Sequence, residues 1–157
     1  MADLLHYEDF QAGQIFPLGT HVLTADEIMD FAHEYDPQPQ HLDANAETDI
    51  LGGHAASGWH LCALAMRMMV DGLFIRSTSM GAPGVDELQW RKPVRAGDTL
   101  RLESEVLDTR ASSKPDRGFV RFRFSMWRDE ERVMMFICSV MFGRASPLRQ
   151  AQHEEEF

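Results

Sequence analysis

"SGWHLCALAMRMMVDGL", residues 57–73, is the stretch on which the fold turns. Leu61, Cys62, Leu64, Ala65, Met66, Met68 and Met69 cover nearly every side of a helical wheel, with Arg67 the one charge among them. A helix apolar nearly all round is one that a fold buries. Ser57 suits an N-cap and Gly72 suits a stop, so the pattern predicts a helix over 57–71. Methionines at this spacing read as core packing rather than a cofactor box.

Something must wrap that helix, and the rest of the chain supplies it. From about Val85 the pattern turns extended. "VDELQWRKPV" reads as a strand, and "DTLRLESEVLDTR" sets Leu100 and Leu102 against Arg101 and Glu103. "GFVRFRFSMW" sets Val120, Phe122, Phe124 and Met126 against Arg121, Arg123 and Ser125, and "ERVMMFICSVMFG" is a long apolar strand. "SSKPDRG" and "RDEE" supply the turns between them. Upstream, "GQIFPLGTHVL" offers one more strand. "LTADEIMDFAHEY" opens with Thr24 and Glu27 in a capping-box pattern, and Ile28, Phe31, Ala32 and Tyr35 share one helical face. "DANAETDI" suits one or two loose turns. The order is strand, helices, then a run of antiparallel strands. The expected class is α+β, an antiparallel sheet wrapped around one buried helix.

The 157 residues fit a single domain, expected over 1–145, with 146–157 a disordered acidic tail. Hydrophobic content of 44% and charged content of 25% are ordinary for a globular chain. A net charge of -10 argues against general nucleic-acid binding, which needs a basic face. No run of eighteen apolar residues occurs, so no membrane span is expected. The acidic start "MADLLHYEDF" lacks the basic region of a secretory signal. Cys62 and Cys138 lie far apart in apolar runs and read as buried free thiols, which points to a cytoplasmic setting.

Function concentrates in "YDPQPQH", residues 35–41. Pro37 restricts Asp36 away from helical dihedrals, so the helix should end near Tyr35. On a helix Asp36 and His41 would point roughly 140° apart. In a turning loop stiffened by Pro37 and Pro39 they can face one pocket, where an Asp–His pair can hold and polarise one water. The plain alternative is a polar turn in which Asp36 caps and His41 is an ordinary surface histidine.

Residues 31–60, "FAHEYDPQPQHLDANAETDILGGHAASGWH", resemble the hydratase signature of the MaoC-like dehydratase family. The matching positions are Phe31 and Ala32, then Asp36, Pro39, His41 and Asp43, then Ser57 and Gly58. "LQWRKPVRAGDTL", residues 88–100, resembles the family's strand and turn with P-V-x-x-G-D-x-L. The resemblance implies a hot-dog fold and a homodimer or dimer-based assembly. It implies an acyl-CoA thioester as substrate and a hydro-lyase activity that adds water to the 2,3 double bond of an enoyl-CoA. Asp36 and His41 inherit the catalytic pair, and the N–H of Gly58 inherits the contact to the thioester oxygen. No cofactor is implied. The chain departs from the family at Gln38, where D-x-N-P has Asn, and at Met66, near which some hydratases carry a serine.

Around this core, Gln38, Ser57, His54 and Trp59 are candidate substrate-binding residues. Arg91, Lys92 and Arg95 are candidate partners for coenzyme A phosphates, with a solvated strand end as the plain alternative. His33, His54 and His60, with His41, Asp36 and Asp43, raise the question of a metal. No H-x3-H or C-x2-C spacing occurs, so none is expected. Two other readings use the same fold: a hot-dog acyl-CoA thioesterase and a non-catalytic acyl-CoA-binding module. The former often places an acid on the central helix, and residues 57–70 contain no Asp or Glu.

Overall fold

In a computed structural model, residues 3–43 and 51–145 are described. The expected tail, 146–157, and most of "DANAETDI" lie outside them. A 3-10 turn at Tyr7–Asp9 leads into β1 (Ile15–Val22), α1 (Ala25–Tyr35), a single helical turn α2 (Pro39–Leu42) and the long α3 (Gly58–Gly72). A second 3-10 turn, Phe74–Arg76, follows, and then β2 (Glu87–Trp90), β3 (Thr99–Ala111), β4 (Arg117–Arg128) and β5 (Glu131–Gly143). The strands form one antiparallel sheet in the order β1-β3-β4-β5-β2.

The alternation in the sequence sets the sheet's inner face. Val120, Phe122, Phe124 and Met126 of β4 are all fully buried, and Leu100, Leu102 and Val106 continue that face on β3. Leu61, Ala65, Met68 and Met69 of α3 complete the same cluster. Burying one such large side chain contributes about 1.5–3 kcal/mol, so this face outweighs any local preference of the chain. A sheet curled around one long helix is the hot-dog arrangement. By length and composition alone Gly58–Arg76 could cross a membrane; here one side of α3 packs on the sheet.

Local signals set the ends of α1. Thr24 and Glu27 close a reciprocal capping box, with the Glu27 N–H on Thr24 Oγ1 at 3.2 Å and the Thr24 N–H on Glu27 Oε2 at 2.9 Å. The helix stops at Tyr35, before Pro37, as expected.

Three expectations are corrected. Tyr35 does not belong to the buried face: it is 69% exposed, beyond the last turn that packs on the core. His41 lies not on an open loop but in α2, because Pro39 at the first helical position costs no hydrogen bond there. Finally, α3 is not buried all round. Trp59 is 62% and Met66 48% exposed, since one sheet covers only one side of the helix.

Candidate active site

Asp36 and His41 come together because two short segments are laced to each other. The Ala55 N–H donates to Gln40 O at 3.0 Å, and the Ala56 N–H donates to Val94 O at 2.8 Å. His54 Nε2 donates to His41 O at 2.8 Å. His41 itself is 6% exposed, and its Nδ1 donates to Ala55 O at 2.6 Å. The surface-histidine alternative is therefore wrong. This bond also sets the tautomer: in the neutral ring the proton sits on Nδ1, and Nε2 presents a lone pair.

That lone pair faces Asp36. His41 Nε2 lies 3.4 Å from Asp36 Oδ2, and both side chains are shielded from solvent. Gln38 Nε2 donates to Asp36 Oδ1 at 2.6 Å, so the amide that replaces the expected Asn still holds the carboxylate. Burial alone would raise the Asp36 carboxyl. The Ser57 hydroxyl and the Gln38 amide, with the charge that the His41 ring carries when protonated, outweigh it and hold Asp36 below the usual carboxylate range. Ser57 occupies the N-cap position of α3 but its side chain does not cap. Its hydroxyl is buried without a formed hydrogen bond among the described residues, beside the Asp36 carboxylate. The helix start thus has no side-chain cap among the described residues, and it presents its first N–H groups and the positive end of its dipole.

These parts line one hollow of about 380 Å3, walled by Asp36, His41, Ser57, Gly58, Trp59 and Trp90, with Arg91 and Lys92 among its remaining residues. A carboxylate, an imidazole lone pair and a helix N-terminus around one small space can orient a water and stabilise an oxyanion.

Residues 14–123, well over half of the chain, match the family of MaoC-like domains. The chain belongs to the MaoC-like family. It is 36% identical to a MaoC-like dehydratase from Rhodospirillum rubrum, with a TM-score of 0.83 over 90% of this chain and 99% of that one. It is 25% identical to the R-hydratase PhaJ1 from Pseudomonas aeruginosa, with a TM-score of 0.70 over 89% of this chain and 86% of that one. A conserved Mycobacterium tuberculosis protein with a double hot-dog fold is 19% identical and shares the fold alone. Its TM-score is 0.76, over 92% of this chain and 46% of the other. Membership of this dehydratase and hydratase family supports a hydratase-type activity.

Within this MaoC-like domain the expected site residues divide into two groups. Asp36, His41, Ser57, Gly58, Trp59, Arg91 and Lys92 border the same hollow, with Gln38 bonded to Asp36 at its edge. His54 and Arg95 stand behind it. Arg95 donates to Leu51 O and, at 3.3 Å, to His54 O. Its guanidinium thus clamps the 51–54 turn instead of facing a phosphate. The Gly-Asp of the downstream motif has a similar role. Gly97 takes φ +89, and Asp98 Oδ2 accepts from the Arg95 N–H at 2.9 Å and from Arg128 at 2.7 Å, fixing the turn behind Val94.

His60 stacks on Phe31 with centroids 4.8 Å apart, and burial pushes its imidazole pKa down. It reads as a neutral wall between α1 and α3. Trp90 was missed by sequence reasoning. Its signal was an aromatic residue at the end of a short strand, next to the Arg91-Lys92 pair.

Proposed function

We propose that this protein is a hydro-lyase that adds water reversibly across the 2,3 double bond of an acyl-CoA thioester. The observation that carries this reading is the 3.4 Å approach of Asp36 and His41 in the hollow that also receives the start of α3. An ionised carboxylate and an imidazole lone pair are both acceptors, so one water can bridge them by donating a hydrogen to each. As its oxygen bonds to C3, the π electrons move toward the carbonyl and charge collects on the thioester oxygen. The Gly58 N–H and the dipole of α3 stabilise that oxyanion. A carboxyl held low is a poor proton donor at neutral pH. His41 Nε2 therefore takes the water's proton and returns it to C2, while Asp36 orients the water and offsets the imidazolium charge. Arg91 and Lys92, exposed at the mouth, suit the phosphates of coenzyme A.

The working form in this reading is a homodimer. Among the described residues β2 is hydrogen-bonded only to β5, which leaves an open sheet edge. Beside that edge Trp59, Met66, Ile75 and Val85 are exposed. A second copy laid across β2 would extend the sheet and cover that surface.

The test is a panel of enoyl-CoA thioesters, short, long and branched, followed by loss of the enoyl thioester absorbance and by product analysis. The expected product is the 3-hydroxyacyl-CoA with no free thiol. Thiol release without hydration would replace this reading with a thioesterase.

A further inference from the structure

The oxyanion donor of the proposed reaction sits on a glycine at the very start of α3. Gly58 is the first helical residue, glycine restrains the backbone least, and the N-cap side chain makes no hydrogen bond to hold the turn. A donor that must be in place before charge develops needs an outside restraint. Trp90 supplies one. Its Nε1–H donates to Gly58 O at 3.0 Å. Its ring lies so close over Gly58 that a Cβ there would fall 2.5 Å from Cε2 and 2.8 Å from Nε1. Trp59 meets the same ring edge-on, with centroids 5.1 Å apart at 78°. Trp90 is anchored in turn: it pairs with Met134 of β5, and the next N–H, that of Arg91, donates to Val133 O at 2.8 Å.

We propose that Trp90 is a positioning residue that clamps Gly58 against the sheet through its carbonyl and so holds the first turn of α3, with the Gly58 N–H, on the thioester oxygen. This rests on the hydratase reading above. Geometry then makes Gly58 and Trp90 mutually dependent. The ring can approach only a residue without a side chain, and that residue keeps its orientation only while the ring is there. The donor's position is thereby set by β2 and β5 rather than by the end of a helix, which would otherwise fray.

The experiment is Trp90→Phe, which keeps an aromatic ring over Gly58 and removes the N–H. Amide exchange of the free protein, read residue by residue by NMR, should accelerate at Leu61, whose N–H donates to Ser57 O and closes the first turn of α3, by about threefold to tenfold, the net worth of one hydrogen bond. Exchange in the β4 core should stay unchanged. On the best enoyl-CoA, kcat should fall by roughly tenfold, less than the ~10²–10³ of deleting a donor outright, with KM changing less than about twofold. Unchanged exchange at Leu61 would overturn the clamp. Faster exchange with parental kcat would show a clamp that the reaction does not use, and would overturn the positioning role. Acceleration spread evenly through β4 would reduce Trp90 to a stability residue. Asp36→Asn is measured alongside. If it is dead while Trp90→Phe matches the parent, the hydratase reading stands and this proposal fails. If the parent hydrates no enoyl-CoA, both fail.

Discussion

Trp59 stands between two hollows of opposite chemistry. On one side is the pocket of about 380 Å3 with Asp36, His41 and the start of α3. On the other is a larger one of about 630 Å3, walled by Met66, Met69, Phe74, Val85, Leu88 and Phe136 among others. In the small pocket the main polar groups are held in place by other residues: the carboxylate by Gln38, the imidazole by Ala55, the Gly58 carbonyl by Trp90. The large hollow has Ser79 as its single hydroxyl and two thiols, Cys62 and Cys138. Size therefore does not find the chemistry here. A site that must hold charge is small and crossed by hydrogen bonds, whereas a surface built to be covered is broad and apolar.

The largest expected effect breaks the polar side. Asp36→Asn keeps the shape and removes the charge, and His41→Ala removes the proton carrier. Each should lower kcat by about 10²–10⁴, the scale of positioned acid–base groups. The double variant should be scarcely slower than the slower single one, because the two share one water. Stability separates them. His41→Ala strands the buried Ala55 carbonyl at a cost of about 1–3 kcal/mol, so thermal unfolding must be followed beside turnover. Parental rates from two well-folded single variants would reduce the pair to a structural turn.

A smaller effect on chemistry, but a large one on assembly, is expected from the apolar side. Met66→Lys places a charge on the uncovered face of α3, where the folded monomer has room for it. The variant should keep its far-ultraviolet circular dichroism and run as a monomer by light scattering at micromolar concentration, where the parent runs as a dimer. A parent already monomeric at that concentration would mean that the apolar hollow has another occupant. A variant that stays dimeric would mean that the interface lies elsewhere.

The two sides also differ in how far they could be read from the sequence. Alternation in 99–143 and the apolar run in 57–73 impose burial residue by residue, so the strands, the central helix and its sheet were legible. That Asp36, His41 and Gly58 meet around one hollow was legible because a short motif carries their spacing. The prolines of 35–41 were harder, since Pro39 both breaks and starts a helix, and only the Ala55 contact decides that His41 turns inward. Trp90 and Arg95 were not legible in their roles. Each acts on a backbone carbonyl more than thirty residues away, and no local pattern encodes such a partner. The exposed face of α3 was missed for a different reason: an all-apolar helix reads the same whether its own sheet or another molecule covers it.

Titration gives the finest test of the contrast, because the two hollows shift acids in opposite directions. Asp36 is held low, so its ionised form stabilises the fold at every pH above the ordinary carboxyl value of about 3.9. That contribution disappears as pH falls through the lower folded value. The stability gap between parent and Asp36→Asn, read from denaturant midpoints, should close below about pH 4. On the apolar side, burial first and the Asp86 charge second push the Cys138 thiol up to about 11. In the unfolded chain that thiol ionises near about 8.5. Between these values the unfolded state gains by losing a proton while the folded state does not, so stability falls as pH rises through the window. Cys138→Ala should remove that part of the alkaline loss while leaving the acid limb untouched, and Asp36→Asn should do the reverse. A gap at Asp36 that persists undiminished at pH 3 would mean the carboxylate is not held in its ionised form. A Cys138→Ala variant that follows the parent through pH 10 would mean that water reaches the thiol, and that the large hollow is not the dry surface its lining residues suggest.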